Sequence, residues 1–189
     1  MRRYVALSAA VLVLPVAAAH WVQEPEQPTE QHEFLQEGVG RWTAEATLFM
    51  PGVPDGIPMT WVENATALGE YWVLSDVEGS FMGMPFKGHG QVGYDPQAKE
   101  FRATWIDNMS SFMGISTGRK DGDAFILEGD APFMDGPVRT QWSVATYRDD
   151  GTRLDQHFAL LDDDEEFMWM EAVSTRLPDD DESGETSDR

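Results

Sequence analysis

The chain has ten methionines and no cysteine, and two methionine pairs carry a spacing that could hold a soft metal. Met82-Gly-Met84 and Met168-Trp-Met170 each set two thioether sulfurs two residues apart. Residues two apart on a strand share a face, and thioethers favour Cu(I). No histidine accompanies either pair, so an adaptable apolar wall is the stronger reading of both. His89 lies between Gly88 and Gly90, and His157 precedes Phe158, both in strand-like sequence; His20 and His32 fall outside it. A neutral imidazole from His89 or His157 could hold haem iron, although a lone strand histidine is more often simply hydrogen-bonded. Cu(I) and haem are therefore alternatives, and the primary expectation is no cofactor and no metal.

Hydrolytic chemistry has little support. Ser80, Ser110 and Ser111 could be nucleophiles and His89 or His157 a base, but no nucleophile-elbow motif surrounds them. Glu63, Asp107 and Glu171 sit in strand-like segments, and sequence does not say whether any two converge. The acidic run Asp162 to Glu166 lacks the spaced ligands and glycine of a calcium loop and reads as a solvated turn. Asn64-Ala-Thr66 and Asn108-Met-Ser110 match the glycosylation triplet, which matters only in a eukaryotic secretory pathway. The expectation is a protein that is not an enzyme, with no catalytic residue assigned.

A second methionine pattern is more distinctive. Phe is followed by Met five times, at Phe49, Phe81, Phe112, Phe133 and Phe167. Two of these pairs lie in identical tetrapeptides, Ser80–Gly83 and Ser111–Gly114. The pairs fall at or beside alternate connections between strand-like segments. If those connections share one end of a barrel, Phe81, Met82, Met84, Phe112, Met113, Phe133 and Met134 form an apolar collar around a ligand portal. Methionine adapts to varied apolar shapes, and exposed apolar patches mark binding sites. A plug of ordinary core residues is the competing reading.

Composition bounds the partners. Thirteen basic residues face 34 acidic ones, for a net charge of −21. That excludes a nucleic-acid footprint and argues against docking on anionic lipid. Without cysteine there are no disulfides or thiolate metal sites. Arg2-Arg3, the apolar run Tyr4 to Val16 and Ala17-Ala18-Ala19 read as a signal peptide, residues 1–19, cleaved before His20. The expected location is then periplasmic or secreted. The run is short for a span, which takes about 20 residues, so no stable membrane insertion is expected after cleavage; an uncleaved anchor is the alternative. Residues 20–29 suit a tether, and 178–189 form an acidic tail without apolar residues, too polar to order itself.

Between these ends lies one domain, residues 30–177. A short helix is expected over Thr29 to Glu37, with Phe34 and Leu35 on its apolar side. Strands follow near 41–49, 59–67, 70–79, 87–94, 100–107, 112–118, 123–129, 138–148, 152–161 and 167–176. Compact turn signals at Leu68-Gly69, Asp95 to Ala98, Asp121-Gly122 and Asp149 to Gly151 join alternate hairpins. In up-and-down order these lie at one end. Longer loops, Met50 to Pro58 and Phe81 to Phe86 among them, are expected at the other.

Gly40-Arg41-Trp42, opening the first strand after a short helix, resembles the Gly-x-Trp signature of lipocalins and other calycins. That resemblance implies a barrel whose closed end is capped by an arginine from the last strand packed over Trp42; Arg176 is the matching candidate. The segment Gly79 to Gly90, with Gly93-Tyr-Asp-Pro96, Lys99, Phe101 and Thr104 to Asp107, resembles the bacterial calycin-like family DUF1579, of unknown function. The likeness covers about Glu30–Leu177 and implies a lipocalin-like barrel with no established catalytic residue.

The expectation is an all-β, up-and-down antiparallel barrel of about ten strands with a short N-terminal helix. Its inferred role is non-enzymatic binding of a small apolar molecule, with a protein-interaction module using the Phe/Met rim as an alternative; no protein partner is identified. Trp61, Trp72, Trp105 and Trp142 are candidate walls, with Met168 and Met170 beside them. One conflict stands in the last strand. Strict alternation from Arg176 puts Met168 and Met170 inside and Trp169 outside, so either a bulge changes the face or both sides of that strand are covered.

Overall fold

The computed structural model describes residues 27–134, 136–162 and 164–178; the expected signal peptide, most of the expected tether and nearly all of the acidic C-terminal stretch lie outside them. Helix α1 (Glu30–Gln36) precedes ten strands. These are β1 (Gly40–Met50), β2 (Val53–Leu68), β3 (Trp72–Phe81), β4 (Met84–Asp95), β5 (Glu100–Asp107), β6 (Gly114–Asp121), β7 (Ala124–Pro132), β8 (Val138–Tyr147), β9 (Thr152–Leu160) and β10 (Glu166–Arg176). Every sequential pair is an antiparallel neighbour, and β1 pairs with β10 to close the barrel. The all-β, up-and-down architecture read from the turn spacing is the one observed.

Closure removes the two free edges that an open sheet would expose. The turns β2–β3, β4–β5, β6–β7 and β8–β9 share one end with α1, and that end is filled. Phe34 and Leu35 form its core with Ala65, Val73 and Phe101, and Val92, Tyr94, Phe125, Leu127 and Tyr147 pack around them. His32 is part of this plug rather than outside the barrel. Its Nδ1 accepts from Thr29 N–H at 3.0 Å and its Nε2 lies 3.2 Å from the Tyr94 carbonyl, tying α1 to β4.

The opposite end is less looped than its sequence suggests. β1 and β2 are joined by Pro51-Gly52, and β3 and β4 by Met82-Gly83, because both strand pairs continue into tight hairpins. The register slips between Met168 and Met170, so Trp169 is the extra residue of a β-bulge. The bulge resolves the conflict in β10. Met170 stays on the inner face, opposite His157 and Leu48, while Met168 pairs with Phe158 on the outer face.

Candidate functional site

The closed end is built on Trp42, only 2% exposed. Its indole N–H donates to the Gly38 carbonyl at 3.0 Å, and the Arg176 guanidinium sits 4.4 Å from the ring centroid. Arg176 also donates to the Glu37 and Val39 carbonyls. Gly40 makes this possible: its φ is +139°, and a Cβ there would lie 2.4 Å from Arg176 Nη1.

Above this layer an ion triad crosses the interior. Arg153 Nη2 lies 2.7 Å from Glu63 Oε2, and Arg153 Nε lies 2.9 Å from Asp155 Oδ2. Ser75 donates to Glu63 at 2.7 Å and Ser174 to Asp155 at 3.2 Å. Burial alone would disfavour the Arg153 cation, but Asp155, Glu63 and Tyr147 outweigh it and push its pKa up. Burial holds the Tyr147 phenol above its usual range. With its carboxylates matched by Arg153 and the two hydroxyls, the triad forms a polar floor.

From the floor to the open end the inner face is lined by small residues. Ala44, Ala46, Gly79, Gly88, Gly90, Ala103, Gly129, Ala159 and Ala172 share it by register. Two tryptophans lie against this wall. A Cβ at Gly79 would meet Trp61, and one at Gly88 would come within 2.2 Å of the Trp105 ring. Trp105 donates to Asp107 at 3.0 Å and stacks on Phe86. Trp61, Trp105, Gln141, Ser143 and His157 all face inward and all keep partial exposure.

His157 packs against Trp169, ring centroids 5.1 Å apart. The surrounding protein disfavours the imidazolium and lowers the His157 pKa, with Asp155 opposing that and Arg153 adding to it. The buried Trp169 Nε1 has no hydrogen-bond partner among the described residues. His89, by contrast, faces outward and pairs with Asp76 at 2.7 Å.

The connections at the open end expose Met82 (64%), Met113 (54%), Met84, Met109, Phe112 and Met134, while Phe133 is buried and packs on Phe167. Asp107 orders the β5–β6 loop by accepting from Met109 and Ser110 N–H. Asn108 then bonds to Lys87 and Pro85, stitching that loop to β4.

Three expected wall residues are not in the lumen. Trp72 is exposed on the outer face, covering Gly93. Trp142 stacks on Phe158 outside, centroids 5.3 Å apart and nearly parallel. Met168 lies outside with Gln156, so the Met168–Met170 thioether pair does not exist as a shared face. The ion triad has no signature in the sequence because β9 inverts the usual pattern. Arg153, Asp155 and His157 face in, while Leu154 and Phe158 face out.

A groove of about 520 Å³ runs over the outside of β3–β5, lined by Asp76, Glu78, Lys87, His89, Ile106 and Asn108. Along it Glu78 pairs with Lys87, and Asp76 lies 2.7 Å from His89. Among the described residues no three metal-ligating side chains of His, Asp or Glu cluster, and no helix is long and apolar enough to cross a membrane.

No curated protein matches the chain. The solved structure described as Rv2717c from M. tuberculosis is similar, with a TM-score of 0.53 and 11% identity over 80% of this chain and 100% of that one, a likeness of fold. The family described as "Protein of unknown function (DUF1579)" matches residues 27–176. With its Gly40–Trp42 opening, the chain belongs to the DUF1579 family.

Proposed function

We propose that the protein is a non-enzymatic carrier of a small, mainly apolar molecule held in the upper lumen. The observation that carries this reading is the partial exposure of the inward-facing Trp61, Trp105 and His157, above a floor where Trp42, Ala65 and Phe101 are fully packed. Ten strands lined largely by alanine and glycine would leave room for a small ligand beside the inward tryptophans. Burial of the ligand at ~25 cal/mol per Å² would supply most of the affinity. The exposed rim methionines would form a deformable portal. Export to an extracytoplasmic compartment would suit such a carrier.

The test is native mass spectrometry of protein taken from its host. Extra mass released on denaturation supports the reading and gives the ligand's mass; an empty lumen that also takes up no apolar probe overturns it. A second reading rests on His157. It is an inward-facing imidazole that its surroundings keep neutral, as axial ligation of haem iron requires. Haem titration followed by visible absorbance, with His157→Ala as control, separates the two readings.

A further inference from the structure

We infer that the open rim is a docking surface for a partner segment that is both apolar and basic, such as a cationic amphipathic helix. The inference does not depend on what fills the lumen. It starts from backbone conformation. Met82 has φ +51° and Met134 φ +48°, the left-handed region that turns normally give to Gly or Asn. Both side chains are exposed. Local structure therefore gives no reason for methionine at either place, and at Met82, 64% exposed, packing gives none either. An outside contact does.

The neighbouring connection repeats the pattern. Met109, Phe112 and Met113 are exposed on a loop that Asp107 and Asn108 hold in place, so the apolar surface is fixed before any partner arrives. From Phe81 to Pro85 and from Asn108 to Gly114 there is no charged residue. On the same rim the β9–β10 turn carries Asp162, Asp164, Glu165 and Glu166, all exposed, with Asp162 matched by Arg139 at 2.8 Å.

Charge selects among occupants of this mixed rim. A second copy would set acid against acid in a chain of net charge −21. Anionic lipid is repelled in the same way. A partner with basic residues beside an apolar face satisfies both halves of the rim.

The experiment titrates the full-length protein with a synthetic leucine–lysine amphipathic peptide. The Met82→Asp, Met113→Asp variant is run beside wild type, with circular dichroism to confirm the barrel. Asp tolerates the left-handed conformation at position 82. The expected result is saturable binding, weakened about tenfold or more in the variant, which corresponds to 1.4 kcal/mol. Because the variant is more acidic, plain charge attraction predicts tighter binding, so unchanged or tighter binding overturns the inference. Stronger uptake onto phosphatidylcholine vesicles than onto the peptide, or a dimer by light scattering that the variant abolishes, overturns it as well. Displacement of an apolar probe from the lumen by the peptide would put the peptide in the cavity and overturn the inference too.

Discussion

Arg176 lies 4.4 Å over the ring of Trp42, the two residues facing each other across the β1–β10 seam that closes the barrel. The guanidinium also bonds the carbonyls of Glu37 and Val39, where the chain passes from α1 into β1. One side chain thus joins the last strand, the first strand and the plug. Arg176→Ala should lower the urea-unfolding free energy by about 1–3 kcal/mol through the lost cation–π contact and charged hydrogen bonds. Arg176→Lys should recover little of it, because lysine lacks the planar fork that reaches two carbonyls. Full recovery by lysine would show that charge alone matters.

Gly40 offers a matching change on the other strand. Gly40→Ala puts a Cβ into Arg176 Nη1 and forces φ +139° on an L-residue. A loss of about 1–3 kcal/mol is expected in the same measurement. If Gly40→Ala is combined with Arg176→Ala, the steric part vanishes and only the backbone strain remains. The double variant should then be more stable than the sum of the singles predicts.

Much of this end was legible in the sequence. Gly40, Trp42 and Arg176 are marked by residue type, and turn residues such as Gly69 and Gly122 announce hairpins because only a few residues adopt their positive φ. The lumen was less legible, for a physical reason. Alternation finds a strand's faces but does not say which face is inside when both are half apolar. In β9 the larger apolar residues, Leu154 and Phe158, lie outside, and Phe158 is covered by Trp142. Arg153 and Asp155 lie inside with Glu63, 90 residues earlier, which supplies a second carboxylate to the Arg153 guanidinium. Such a long-range partner leaves no local signal. The bulge at Trp169 is similarly silent, so Met168 read as a lumen residue.

The triad should respond asymmetrically to substitution. Arg153→Met leaves Glu63 and Asp155 without their cation in the barrel interior. A loss of about 3–5 kcal/mol at neutral pH is expected from stranding buried charge. Replacing all three as Glu63→Leu, Arg153→Met and Asp155→Leu should cost far less than Arg153→Met alone, since nothing charged is left unmatched. Chemical denaturation of the two variants decides this; equal losses would mean that the triad is held by packing rather than charge.

His157 makes a pH prediction. Burial sets its folded pKa below the ordinary 6.5, so on acidification the unfolded chain takes the proton first. Stability is therefore lost as pH falls from that value, and the loss levels off below the folded pKa. Wild type should lose more denaturation free energy than His157→Gln between about pH 7 and pH 5. Parallel curves would place this histidine's charge in contact with solvent in the folded state.

Met82 separates fold from function in one substitution. With Gly83 at φ +80° beside it, Met82 at φ +51° occupies a hairpin position that favours Asn-Gly. Its side chain is 64% exposed, so little packing is lost when it is removed. Met82→Asn should accordingly raise the unfolding free energy, by up to about 1 kcal/mol as the backbone strain is relieved. The same change removes an apolar side chain from the rim and should weaken capture of an apolar fluorescent probe or a leucine–lysine peptide. Higher melting temperature with weaker binding would identify methionine here as kept for contact at some cost in stability, the trade expected where a surface is used. If stability falls instead, Met82 packs in solution, and its place in the collar is structural.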